Sequence, residues 1–117
     1  MLSLPSSTCI WLATRPTDLR KSFDTLAELV RQQMHNDPLS GQLFVFRNKR
    51  ADRLKLLYWD EDGYVIVYKR LEKGSFRFPQ ADGASVQIRA ADLHMLLDGV
   101  DFENVKRRPR YRRPVPA

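Results

Sequence analysis

Between residues 47 and 77 the chain carries nine Lys or Arg against five acids, interleaved with Tyr, Trp and Phe. Cations of this kind neutralise phosphates, and aromatic rings stack on unpaired bases. The chemistry suggested is recognition of a polyanion. Arg47, Lys49, Arg50, Arg53 and Lys55 cluster about one turn, and Lys69, Arg70, Lys73 and Arg77 follow in the next segment. Tyr68 stands among them as a stacking candidate. A second basic group, Lys106, Arg107, Arg108, Arg110, Arg112 and Arg113, fills a Pro-rich end that contains no acid. Those six charges account for the whole net charge of +6, because residues 1–105 hold 14 basic and 14 acidic side chains. If all six met phosphate on duplex DNA, they would contribute about 5 to the log–log salt slope.

Each basic group has a plainer reading. Scattered Lys and Arg form a solvated face or guard a sheet edge against aggregation, and a basic end can be a solubilising tail. The clustering about one turn, and the alternation of six cations with Pro and Tyr111, favour phosphate contact.

Catalytic chemistry has little to build on. His35 and His94 are the two histidines, and Cys9 is the lone cysteine, so the sequence offers no set of ligands for a structural zinc ion. His94 reads as a surface or boundary residue and Cys9 as a small filler in an apolar strand. No GxSxG, P-loop or dinucleotide fingerprint occurs. The run Asp60, Glu61, Asp62 is the most metal-like feature, since neighbouring carboxylates bind Mg²⁺ in nucleases. Asp and Gly are also what a hairpin turn needs for backbone reasons, and the turn is the preferred reading. Asp98, Asp101 and Glu103 around Gly99 read as a helix end. No cofactor and no metal are expected, and the chain is not read as an enzyme.

The elements that must position these residues follow from periodicity. Residues 9–13 (CIWLA) predict a strand or extended segment. Leu19, Phe23, Leu26, Val30 and Met34 recur at helical spacing, with Thr17 and Asp18 as capping residues and Pro38 forcing an end nearby. Strands are predicted over 43–47, 53–59 and 64–70, joined by turns at 48–52 and 60–63. Without bulges, Arg47 would oppose Arg53, Arg53 would oppose Arg70, and Lys55 would fall between Val45 and Tyr68. Phe44, Phe46, Leu54, Leu56, Tyr58, Val65 and Val67 would then form the core face. The other face would collect Arg47, Arg53, Lys55, Tyr68 and Arg70, with Leu43, Leu57, Trp59, Tyr64 and Ile66 further along. A single-residue bulge would invert part of this assignment. Residues 76–79 predict a short edge segment, 85–89 a strand, and 91–98 a helix with Gly99 at its C′ position.

At 117 residues the chain is long enough for one modest core without metal or disulfide support. Residues 1–105 are read as a single α+β domain and 106–117 as a flexible basic tail. A lone cysteine suits a reducing compartment. No apolar run reaches the length of a membrane span, and the first residues lack the basic and apolar regions of an export signal. A cytoplasmic, nucleoid-associated location is expected.

The ordered segments 10–13 (IWLA), 18–24 (DLRKSFD), 37–38 with 40–41, 43–50 (LFVFRNKR), 52–60 (DRLKLLYWD), Gly63, 68–74 (YKRLEKG), 76–79 (FRFP) and 97–101 (LDGVD) together resemble a known family. It is that of the small accessory protein, often called TnpB, of bacterial insertion sequences of the sixty-six family. Departures are small: Leu19 stands where Met is common, Phe78 where Trp often precedes Pro, and Ala51 where a more flexible or basic residue is common. The resemblance implies a role in transposition beside a separate transposase that carries the catalytic acids. It transfers no catalytic residue. A larger RNA-guided nuclease shares the TnpB label, but this chain has neither its length nor a zinc-ribbon cysteine pattern.

The sequence therefore leads us to expect an α+β fold. Its mostly antiparallel sheet of consecutive hairpins would be packed by one longer helix, with a short C-terminal helix and a basic tail. The expected function is that of a non-catalytic accessory factor for transposition that binds DNA. Two alternatives stand beside it: a module docking on the element's transposase through the apolar half of the sheet, and a metal-dependent nuclease using Asp60, Glu61 and Asp62.

Overall fold

The computed structural model describes residues 7–98. Its elements run β1 (Ile10–Ala13), α1 (Phe23–Gln32), β2 (Leu43–Arg47), β3 (Arg53–Asp60), β4 (Gly63–Arg70), β5 (Ser85–Ile88) and α2 (Ala90–Leu97). The strands form one sheet in the order β4-β3-β2-β1-β5. All neighbours are antiparallel except β1 and β2, which run parallel across the α1 crossover. This is an α+β fold dominated by its sheet. No helix among the described residues is long and apolar enough to cross a membrane.

Both faces of the sheet are core, which corrects the expectation of a single core face. On one face Ile10, Leu12, Leu43, Val45, Leu54 and Leu56 pack with Leu93, Leu96 and Leu97 of α2. On the other, Ala13, Phe44, Phe46 and Leu57 pack with Leu26, Ala27 and Val30 of α1. Side chains alternate across a strand, so residues 43–46 of β2 (LFVF) and Leu56 and Leu57 of β3 can be apolar in succession because each face has its own helix. Leu43 and Leu57, assigned from sequence to an open apolar half, are buried on opposite faces. Trp59 and Tyr64 meet edge to face with ring centroids 5.1 Å apart.

The β2–β3 register also differs from expectation. Arg47 pairs with Leu54, Phe46 with Lys55 and Val45 with Leu56, one residue away from the unbulged pairing. Asn48 is the cause. Its side-chain carbonyl accepts the Arg53 amide at 3.0 Å, while its own amide donates to the Arg53 carbonyl at 3.3 Å. A side chain thus replaces a backbone partner and the turn takes in one more residue. A slip of one residue moves a strand's side chains to the other face. Phe44 and Phe46 therefore face α1, and Arg47 faces away from it.

Helix α1 starts later than Thr17 and Asp18 suggested. Those residues form a turn: the Thr17 amide donates to the Arg47 carbonyl at 2.7 Å and the Lys21 amide to the Asp18 carbonyl at 3.1 Å. Ser22 is the N-cap, and its amide donates to Thr25 Oγ1 at 2.8 Å, an arrangement of the capping-box kind. Phe23, placed on the apolar stripe by spacing, is at the first helical position and 45% exposed. The helix ends at Gln32, before His35 takes a left-handed φ of 51°. Residues 76–79 are not an edge strand. They form an irregular segment anchored by the Phe76 amide, which donates to the Ala51 carbonyl at 2.7 Å, with the Phe76 ring buried. Gly99, Asp101, Glu103 and the six basic residues from Lys106 to Arg113 lie outside the described residues.

Candidate nucleic-acid interface

The turn over residues 48–52 is the joint on which the basic residues are arranged. Asn48 Nδ2 donates to Asp52 Oδ1 at 2.6 Å, and the Ala51 amide donates to the Asn48 carbonyl at 3.0 Å. Ala51 takes φ 57° to close the turn. The Leu71 amide donates to the Asp52 carbonyl at 2.8 Å. Together with the Phe76 anchor, this ties the chain after β4 to the same turn. Lys49 and Arg50 project from it, exposed.

Antiparallel pairing of β3 and β4 sets Arg53 opposite Arg70 and Lys55 opposite Tyr68. These four side chains share the face that α1 covers further along. Arg53 Nη1 donates to the Tyr68 hydroxyl at 3.1 Å, and the Tyr68 side of the pair is 50% exposed. Lys55 lies beneath: it is buried, its Nζ donates to the Lys21 carbonyl at 2.8 Å, and its ammonium sits 4.9 Å from the centre of the Tyr68 ring. Lys55 therefore holds Tyr68 in place from below rather than presenting a free charge. Two shallow grooves flank the tyrosine. One, of about 370 Å³, includes Asp18, Arg20, Arg50, Asp52 and Arg53; the other, of about 360 Å³, lies among Arg53, Arg70 and Glu72.

Carboxylates already attend several of these cations. Arg20 meets Asp18 at 2.7 Å, Arg70 meets Glu72 at 2.9 Å, and Arg50 approaches Asp52 at 4.0 Å. The Arg20 side chain holds the Asp18 carboxyl well below the usual carboxylate range, and Asp18 in turn raises Arg20. The Asn48 amide lowers Asp52. Arg53 is raised chiefly by its bond with Tyr68. The arginines of these pairs are largely exposed, and exposed ion pairs contribute little. A phosphate can displace such a carboxylate at small cost.

The other sequence candidates go elsewhere. Arg47 lies on the α2 face, its guanidinium 5.3 Å from the centre of the Phe78 ring, and burial lowers its pKa. Lys69 also points to that face and donates from Nζ to the Leu97 carbonyl at 2.9 Å, a cation at a helix C-terminus. Lys73 and Arg77 are exposed on the segment after β4. The structure thus brings together Arg50, Arg53, Lys55, Tyr68 and Arg70, adds Arg20, and separates Arg47 and Lys69. Arg20 was missed from sequence. Its signal was the adjacent pair Arg20-Lys21 just before the helix that packs beside β3 and β4.

The acidic run has a backbone role. Asp60 and Gly63 pair at the end of the β3–β4 hairpin, and Glu61 takes φ 55° in the two-residue turn. All three carboxylates are exposed. Among the described residues no group of three His, Cys, Asp or Glu could hold a metal ion. Cys9 precedes β1 and is half-buried, and His94 is exposed on α2.

A family model described as IS66 Orf2 like protein matches residues 8–107. Uncharacterized protein y4jC of Sinorhizobium fredii is 39% identical over 100 residues, which are 86% of this chain and 86% of that protein. Uncharacterized protein y4hO of the same organism is 38% identical over 104 residues, covering 89% of this chain and 90% of its own length. No solved structure matches the chain.

Proposed function

The chain belongs to the family of IS66 Orf2-like proteins, and from that premise we propose that it serves transposition as a non-catalytic factor that holds DNA. The observation that carries this reading is the placement of Arg53 directly opposite Arg70 beside the exposed ring of Tyr68. Cations flanking an exposed aromatic ring suit a phosphate backbone with a base, or the edge of a duplex, laid against the ring. Arg50 and Lys49 extend the surface around the turn, and Arg20 borders it. The basic residues Lys106, Arg107, Arg108, Arg110, Arg112 and Arg113 add affinity independent of sequence. The transposase of the same element is the natural protein partner, and the nucleoid the place of work.

Fluorescence anisotropy with labelled element-end DNA and a scrambled duplex, using full-length protein and a 1–105 truncation, tests this. Retained preference of the truncation for the element end supports a specific reader on the folded domain. Binding that never discriminates and vanishes with residues 106–117 would mean that the folded surface does not hold DNA.

A further inference from the structure

A cleft of about 560 Å³ opens on the α2 side of the β2–β3 turn, between Arg47 and the segment that carries Ser75, Arg77, Phe78 and Gln80. It differs in kind from the grooves around Tyr68, because no Asp or Glu lines it. Among the described residues neither Arg47 nor Arg77 pairs with a carboxylate within 4.0 Å. Arg47 is half-buried. Its Nη1 and Nη2 donate to the Asn48 and Thr14 carbonyls at 3.3 and 3.4 Å, and its Nε is buried with no acceptor. These bonds lie beyond the usual N–H···O range. A half-buried guanidinium with no carboxylate partner and one buried donor unmet is under-satisfied, and an anion that reaches its other nitrogens from the cleft offsets that cost.

We propose that this cleft is a nucleotide site, in which Arg47 and Arg77 take the phosphate and the remaining volume takes the nucleoside. Two guanidinium groups select phosphate, since each can give it a pair of charge-assisted bonds in place of the long carbonyl contacts. The volume is far more than a bare phosphate fills and falls in the range of small-molecule sites. The Ser75 hydroxyl and the Gln80 amide supply polar partners for a sugar or a base edge. The site goes beyond the interface reading and stands without it. It lies on the opposite face of the sheet from Arg53 and Arg70, and a mononucleotide needs no contact with them.

The test follows the Arg Nε–H resonances of full-length protein, labelled with ¹⁵N-arginine, by NMR. The titrants are deoxyadenosine monophosphate, deoxyadenosine, inorganic phosphate, and a single-stranded oligonucleotide with either a phosphate or a hydroxyl at its 5′ end. The site predicts a saturable shift of the Arg47 Nε–H with the monophosphate and none with deoxyadenosine. Arg77→Gln weakens that binding by about tenfold or more, while Arg31→Gln on α1 leaves it unchanged. Arg77 is exposed, so its replacement leaves the fold intact. An Arg47 resonance unmoved by the monophosphate overturns the proposal, as does an equal response to deoxyadenosine. A larger Arg47 response to the 5′-phosphorylated strand than to the 5′-hydroxyl strand makes a strand end the source of the phosphate, and equal responses to the two strands beside binding of the monophosphate make it a free nucleotide; both uphold the site. Because the readout is the Arg47 resonance and a mononucleotide needs no second surface, the result with the monophosphate does not depend on whether Arg53 and Arg70 hold DNA.

Discussion

Arg53 and Arg70 stand directly opposite each other in the β3–β4 pair, with the Tyr68 hydroxyl accepting from Arg53. Like charges facing each other across strands oppose pairing, so this position is not chosen for stability. Arg53→Glu converts the pair to opposite charges at the loss of one exposed hydrogen bond. The expected outcome in thermal melts is an unchanged or higher Tm, together with weaker DNA binding. A fall in Tm as large as that of a core truncation would mean that Arg53 is structural.

Leu56 and Leu57 are adjacent in β3, both fully buried, on opposite faces. Truncating either to Ala removes packing against a different helix. Each change should cost about 2–5 kcal/mol in urea unfolding. A sheet with one wet face would show the loss at one position only.

Ala51 holds φ 57° in the β2–β3 turn, a conformation that costs an L-residue about 1–2 kcal/mol. Glycine adopts it freely, although its own unfolded chain is more flexible. Ala51→Gly should therefore stabilise the protein by about 0.5–1 kcal/mol, read as a higher urea midpoint with an unchanged m-value.

Asp18 and Asp52 are both held below the ordinary Asp value of 3.8, the first chiefly by Arg20 and the second chiefly by the Asn48 amide. A carboxyl with a depressed folded-state pKa stabilises fully above its unfolded value. That contribution is lost as pH falls through the folded value. Stability should therefore decline from about pH 4 downward, and Asp52→Asn should flatten part of the decline. Side-chain carboxyl NMR titration checks both groups directly.

Much of the fold was legible in the sequence because local periodicity decides it. The strand expected over 43–47 coincides with β2, and those expected over 53–59 and 64–70 differ from β3 and β4 by one residue at one end. The helix expected over 91–98 is displaced by one residue. What failed was decided by tertiary contacts or by single side chains. The parallel pairing of β1 with β2 joins segments 33 residues apart, as Ile10 and Leu43 show, and no local signal specifies it. The β2–β3 register turned on the Asn48 side chain, and with it went the placement of Arg47. Of the candidate surface, the β3–β4 part was readable, since a two-residue turn fixes its register. The burial of Lys55 and the use of Lys69 at the end of α2 depend on elements that pack from elsewhere in the chain.

Whether the β3–β4 surface holds DNA is decided by the salt dependence of duplex binding by full-length protein and by the double charge reversal Arg53→Glu, Arg70→Glu, measured by anisotropy. Each phosphate contact contributes about 0.9 to the log–log slope on duplex DNA. Phosphate contact by both arginines predicts weaker binding and a slope reduced by about 2, with the circular dichroism spectrum unchanged. An unaltered affinity and slope in the folded variant would contradict it, and the accessory role would then have to rest on contact with the transposase.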